Sequence, residues 1–444
     1  MKNPVTLQLP WVRRAAAAFA VTLLVSACAS AATIFVAKSG TDDPGCGTTR
    51  DSACLTIQYA VNNSHPGDHI SIEPGVYSEL VTINQNLTLR GSKRKETIID
   101  GAQSGTVVTI NAGVTATIER LTVRNGNALF VGGQANAGGI LNDGTLTLRK
   151  SVVTGNTNAL PVGLNFGSQG GGIENGGVLT IDSSDITYNN GSAICSAGGG
   201  ILNQGQLAIT DSLIAYNTGG IIAGACVVDP GIPGITGGAG IYVEGGNATI
   251  DTTTILQNDI SGGGFTISRS TLNESPIEAF HGIAVVNSTL YNSDIDAVFY
   301  DFGFDGYVEM SNSTMSGGEI VSDSYSFQFP PQPIGTIRNS ILAGCGGTFA
   351  SGDYNIVADS TDCELNGGAH DLFGVSPDLG PLGHHSGPTE TMLPERGSAA
   401  IDGGDPAGCL DSNGNLITMD QRGLPRPNPA VGRCDIGAVQ DERF

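Results

Sequence analysis

Four copies of one unit between Ile140 and Asn258 constrain this chain more than any other feature. They read GGILNDGTLTLRKSVVTGN, GGIENGGVLTIDSSDITYN, GGILNQGQLAITDSLIAYN and AGIYVEGGNATIDTTTILQN. The separation is identical in the first three, from Ile140 to Asn156, Ile173 to Asn189 and Ile201 to Asn217. The fourth, Ile241 to Asn258, carries one extra residue at Gly245-Gly246. The stretches between copies vary freely. A fixed unit with variable inserts at one point is the mark of a solenoid.

Each copy resolves into short strands. Leu146 and Leu148 alternate with Thr147, a polar Arg149-Lys150-Ser151 corner follows, and Val153 is apolar again. Leu207, Ile209 and Ile214 take the same places in the third copy. Period-two runs broken by Gly, Asn and Asp are β-strands joined by tight turns. Because the unit repeats in one direction, the copies must stack in parallel. The predicted fold is all-β: a single-stranded, right-handed parallel β-helix solenoid with coils about 4.8 Å apart. Asn142, Asn175 and Asn203 share one turn position, which predicts an Asn ladder along the stack.

Weaker copies extend both ways, from Gly67–Gly91 and Val107–Gly126 to FTISRSTL, AVVNSTLYNS, VEMSNSTMSGG and TIRNSILAGC, roughly ten coils in all. The expected organisation is a signal segment over 1–31, an N-terminal cap over 32–66, the β-helix over 67–365 and an irregular C-terminal domain over 366–444. Residues 32–66 hold a strand and a short amphipathic helix from Thr56 to Asn62, suited to covering an open sheet edge. The β-helix is expected to be capped at both ends.

Residues 1–31 combine Lys2, Arg13 and Arg14 with the apolar run AAAAFAVTLLVSA, a secretory pattern too short for a stable membrane span. The run ends in Val25-Ser26-Ala27-Cys28, similar to a bacterial lipoprotein box, which would make Cys28 the lipidation site; plain cleavage after Ala31 is the alternative. Setting Cys28 aside leaves eight cysteines of nine. They fall into sequential neighbours: Cys46 with Cys54, Cys195 with Cys226, Cys345 with Cys363, and Cys409 with Cys434. Such usage points to an oxidising compartment, although sequence alone leaves the connectivity open. The expected location is outside a bacterial cell, either secreted or held at the outer membrane.

The tail carries a family resemblance. Pro377–Leu382, Gly397–Gly404, Asp420–Gly423, Arg426-Pro427 and Cys434–Ala438 resemble the end of the choice-of-anchor type Q domain of secreted bacterial β-helix proteins. Phe35-Val36-Ala37, Cys54–Ala60 and Gly75-Val76-Tyr77 are similar to the opening of such proteins. The resemblance spans most of the mature chain. It implies a surface or secreted β-helix protein without an assigned activity. Since the sequence stops at Phe444, the Cys28 lipid is the anchor it leaves. The GGI-x-N units also resemble repeats of polymorphic outer-membrane proteins.

Composition weighs against several chemistries. Without the three cations of residues 1–31, 17 Lys and Arg face 42 Asp and Glu, a net charge of −25. From Ser151 to Ile337 the only cation is Arg269, which is expected to be a solvated corner residue. An acidic wall repels pectate or alginate unless calcium bridges them, and nucleic acid is excluded as a partner. The string Gly75–Glu79 is similar to one in pectin esterases, but the glutamines and aspartates that should follow do not. Three carboxylates stand out. Asp182 and Asp251 share a register two coils apart, roughly 9–10 Å, with Asp211 one residue over on the coil between. That separation sits at the upper limit for an inverting glycosidase pair. It also suits a loose calcium site, and Asp is in any case favoured at such turns. Asp411, Asn413 and Asn415 have calcium-loop spacing, although Asn413-Gly414 is equally a hairpin turn. No other cofactor is implied. His384-His385 lack an evident metal partner.

Two function classes follow. One is a non-enzymatic surface protein, expected to be monomeric, that binds a glycan or another surface protein, or serves a structural role. It would use the apolar inserts at 157–172, 190–200 and 218–240, and it would touch a membrane only through the N-terminal lipid. The rival is a polysaccharide lyase or glycoside hydrolase acting on a neutral or calcium-bridged glycan, through Asp182, Asp211 and Asp251 or the stretch Asp294–Tyr307.

Overall fold

The computed structural model describes residues 31–128, 137–158, 170–191, 198–219, 240–300, 304–305, 307–324, 335–427 and 432–441. Cys28, Cys195, Cys226 and the greater part of the three inserts lie outside these residues.

The chain forms a right-handed parallel β-helix with three faces. In the first repeat Ile140–Asn142 lies on face C, Thr145–Arg149 on face A and Val152–Thr154 on face B. Each strand pairs in parallel with its counterpart one coil on, as in Leu146↔Leu179 and Leu148↔Ile181, then Leu179↔Leu207 and Ile181↔Ile209. The inward positions are apolar ladders. Ile140, Ile173, Ile201, Ile241, Ile260 and Ile277 form one such ladder on face C, and all are buried. Each such side chain contributes about 1.5–3 kcal/mol by leaving water. Their spacing also sets register, since a one-residue slip would turn Leu148 out and Thr147 in.

Polar ladders fix the corners. The expected Asn ladder forms, with Asn142 Nδ2 donating to Asn175 Oδ1 (2.6 Å) and Asn175 Nδ2 to Asn203 Oδ1 (2.7 Å). A second ladder closes face B: Asn156 donates to Asn189, Asn189 to Asn217 and Asn217 to Asn258 at 2.7–2.9 Å. Between faces A and B a serine column does the same work, the N–H of Ser151 reaching Ser184 Oγ (3.1 Å) and that of Ser184 reaching Ser212 Oγ (3.1 Å). These side chains satisfy buried corner backbone that no strand can reach. The glycine pairs of the repeat have a packing cause too. A Cβ on Gly139 would stand 2.4 Å from the Gly172 carbonyl oxygen, and one on Gly172 would stand 2.6 Å from that of Gly200.

At the N-terminus Thr33–Val36 pairs in parallel with Asp68–Ile72. A helix over Ile57–Asn62, with Thr56 as N-cap, buries Ile57, Ala60 and Val61 against the first coils. Glu79 accepts the N–H groups of Ile57 (3.0 Å) and Gln58 (2.9 Å) and so satisfies its first turn. Parallel pairing continues to Leu372–Phe373, past the expected boundary at 365. The tail then runs back as a strap along the wall. It covers outward face-B residues Thr271, Thr289, Thr314 and Ile341, all buried. Where the strap lies, the corner residues become Asn287, Asn312 and Asn339, each at a φ of 46° to 50°. Asn suits that left-handed conformation, and its amide also holds the strap. Asn312 donates to Leu410 O (2.8 Å) and Asn339 to Asp435 O (2.9 Å).

Candidate functional site

The carboxylates singled out from the sequence sit where register predicts, with Asp182 opposite Thr210 and Thr210 opposite Asp251. Asp211 occupies the left-handed corner next to them (φ 49°). Their surroundings are structural. Asp251 accepts from Ser268 Oγ (2.8 Å) and from both Nε (2.9 Å) and Nη2 of Arg269. Asp182 accepts from Ser183 Oγ (2.7 Å). Upstream on the same column Glu119 lies between Arg90 (3.2 Å) and Arg149 (3.6 Å), so charge alternates along the wall. Arg269 is therefore no free column residue: its guanidinium holds Asp251, and its carbonyl accepts from Thr389 of the strap (3.1 Å). Sequence spacing could not show this, because Asp251 lies on the preceding coil and Thr389 on the strap.

Asp411 folds back on its own turn. Its oxygens accept from Asn413 N (3.0 Å), Asn415 N (2.7 Å) and Asn415 Nδ2 (3.0 Å), between the antiparallel bridge partners Leu410 and Leu416. Among the described residues, no three His, Cys, Asp or Glu side chains converge as a cation cage. His384 lies 3.8 Å from Glu390, and His385 Nδ1 lies 3.2 Å from Thr391 Oγ1. Disulfides join Cys46 to Cys54, Cys345 to Cys363 and Cys409 to Cys434.

Three surface features emerge that the sequence reading missed in whole or part. The first is a cavity of about 620 Å³ on face A near the N-terminus, bordered by Arg50, Glu73, Arg90, Glu119 and Arg120. Its charges are largely matched in pairs, Arg50 with Glu73 at 2.6 Å among them.

The second is an acidic groove on face C, a cavity of about 310 Å³ bordered by Asp259, Glu278, Asp294, Asp296 and Glu319. Glu278 lies directly opposite Asp296 one coil away, a Cα spacing of about 4.8 Å. Burial raises the Asp259 carboxyl above its ordinary range. Upstream on face C, burial pushes Tyr242 up to about 12, with Glu244 and Glu278 adding to the shift. Asp294 and Asp296 belong to the stretch read from the sequence, which grows into a hairpin of Ile295–Tyr300 with Phe304–Asp305. Their partner Glu278 was illegible, because the coils beyond Asn258 lose the fixed spacing.

The third is an exposed aromatic pair at the corner where face B ends and the inserts leave. The rings of Tyr188 and Tyr216 stack at 5.1 Å and 16°, and the residues are 62% and 36% exposed. Both are held at positive φ, 54° and 56°. On neighbouring coils the same position is Asn125, Gly155 and Gln257, types that fit an outer corner. A bulky aromatic in that conformation costs about 1–3 kcal/mol, although left-handed corners recur along the helix, at Lys150 and Thr252 among others. The repeat alignment contained the signal, since both tyrosines directly precede the invariant Asn of their copies.

No family model matches this chain, and no curated protein matches its sequence. Solved structures of similar form include a complex of XylC with xylose, at 10% identity over 92% of this chain and 98% of that one (TM-score 0.46). The pectate lyase Pel9A matches at 13% identity over 93% and 97% (TM-score 0.43). The family 6 alginate lyase AlyGC matches at 10% over 82% and 56% (TM-score 0.44). Similarity at this level concerns form alone.

Proposed function

We propose that this chain is an exported protein of the cell surface or surrounding medium, whose β-helix holds a glycan on its flank without turning it over. The observation that carries the reading is the strained, exposed Tyr188–Tyr216 stack at the root of the inserts. Three disulfides suggest an extracellular compartment, and the apolar segment 1–31 fits export. The tail segments that resemble choice-of-anchor Q domains form the strap. Of the carboxylates first considered for catalysis, Asp251 is held by Arg269 and Asp182 accepts from Ser183.

One observation favours the rival enzymatic reading: the in-register Glu278–Asp296 pair in an acidic groove. Their Cα atoms stand one coil apart on one face, so both carboxyls border the same groove. A glycan array combined with a reducing-end and unsaturated-product assay on the purified mature chain separates the two. The expected result is saturable binding without products. Products that vanish in Glu278→Gln or Asp211→Asn would establish the enzyme instead.

The anchor belongs to the same proposal. Radiolabelled palmitate is expected to enter the exported protein and to be lost in Cys28→Ala. A mature N-terminus at Ala32 would make it a soluble secreted protein.

A further inference from the structure

We infer that the gap over Gly155, floored by the ring of Tyr188, is a subsite for one uncharged pyranose ring of an oligosaccharide. The inference rests on the binding reading above and names its ligand. Along this corner the coils succeed one another about 4.8 Å apart. Tyr216 covers one face of the Tyr188 ring. The other face turns toward the preceding coil, where the corner residue is Gly155, exposed and at φ 63°. A Cβ at Gly155 would meet only Asn125 Oδ1, at 3.8 Å. An open gap thus lies over Gly155, between the Asn125 amide on the preceding coil and the tyrosine ring on the following one.

Its chemistry suits a sugar with one apolar C–H face. The ring is a rigid, amphipathic platform whose loss of freedom on binding is small. Asn125 is preset, because its Nδ2 is tied to Asp100 Oδ2 (2.9 Å) and its Oδ1 stays directed at the gap. The Thr154 hydroxyl stands beside the slot, within 3.3 Å of Thr187 Oγ1. Polar groups at the roof and side with an aromatic floor match a pyranose better than a flat apolar ligand.

Charge selects the uncharged class. Arg124, next to Asn125 in the chain, is paired with Asp100 at 2.8 Å, and Arg94 with Asp185 at 2.9 Å. Further along the corner, Gln257 is hydrogen-bonded to the acid Glu274 (2.7 Å). Residues 151–444 hold seven Lys and Arg against 32 Asp and Glu, so a uronate approaches against the field of the wall.

The test uses the full mature chain and two hexamer panels. One holds uncharged β-1,4-linked glucan, xylan and mannan and β-1,3-linked glucan; the other holds galacturonate and mannuronate. Calorimetry is expected to show binding of at least one uncharged hexamer and weaker or no binding of uronates. Tyr188→Ala should lower that affinity roughly tenfold, while Tyr188→Phe should keep it. Gly155→Asn, a residue that accepts the left-handed corner, should fill the slot and lower affinity as far. Unchanged circular dichroism shows that the variants fold. Affinity unaffected by Tyr188→Ala and Gly155→Asn would overturn the subsite and leave the binding reading intact. Tighter binding of uronates, or binding of no uncharged hexamer, would also overturn it. Turnover that still depends on Tyr188 would sink the non-catalytic reading while supporting the subsite.

Discussion

Arg422→Ala is expected to destabilise the strap by about 3–5 kcal/mol, the usual cost of removing one partner of a buried ion pair. Asp420 and Arg422 have side chains 0% and 2% exposed, with Nη2 and Nε at 2.7 and 3.0 Å from Oδ2. The guanidinium also donates to Gln440 O (2.6 Å), which ties the chain's last described turn to the strap. Asp420 itself accepts the N–H groups of Arg422, Leu424 and Gln440 at 2.9–3.1 Å. Without the arginine a carboxylate remains in the interior, with those amides and the more distant charge of Arg426 to offset its desolvation. The neighbouring Gln421 is the contact that places the strap. Its Oε1 accepts from Thr289 Oγ1 (2.6 Å), and its Nε2 donates within 3.0–3.1 Å of Ser270 O, Thr389 Oγ1 and Glu390 O. A long solenoid need not unfold in one step, so the loss is best read locally. Amide exchange at Leu424 and Gln440 should accelerate by at least a hundredfold, while exchange at Leu148 and Ile181 stays unchanged. Acceleration under tenfold would show that the pair does not hold the strap.

How much of this was legible beforehand follows from where each partner sits. The inward ladders were readable because Ile140, Ile173 and Ile201 recur at one spacing and alternate with polar residues, so period and register come from the same letters. The Asn142 ladder was readable for the same reason. The Asn156 ladder recurs in all four copies, and the serine column in three, with Thr253 in the fourth, yet their partners lie on the next coil. Only a fixed register shows that Ser151 meets Ser184 rather than solvent. The strap was readable as a family mark and not as a contact. Gln421 and Thr289 are 132 residues apart with no periodicity between them. Asp251 illustrates the cost for site reading. Its alignment with Asp182 was correct, but the guanidinium that occupies it comes from the following coil. Tyr188 and Tyr216 stand at one aligned position before the Asn of their copies, but only the left-handed backbone there shows that the alignment places both rings at an outer corner.

Glu174→Gln is expected to be nearly neutral for stability at pH 4.5 and stabilising by up to about 3 kcal/mol at pH 8. Glu174 projects from face C opposite Leu141 and Leu202, just after the Gly170–Gly172 segment where an insert rejoins the coil. Its Oε2 is buried, with no hydrogen-bond partner. Burial raises its pKa from the ordinary 4.5 to about 7, the negative Asp143 and Glu244 add to the rise, and the Gly170 N–H opposes it. The folded state therefore holds this proton more tightly than the unfolded chain. Stability is greatest below the unfolded value, falls as pH rises from 4.5 to 7, and is flat above. At 1.36 kcal/mol per pH unit the full loss is about 3 kcal/mol. Glutamine keeps the shape and cannot ionise, so it removes the slope. Asp435, which burial raises to about 6, loses stability in the same direction but is common to both proteins. The comparison of variant with parent cancels it. Amide exchange at Ile173 and Leu202, measured at both pH values, reads the junction directly. An equal increment at pH 4.5 and 8, or a loss at pH 8, would show that the carboxyl is charged and solvated in the folded protein. The expected difference would instead make the join between insert and coil tighter as the surroundings acidify through neutral pH.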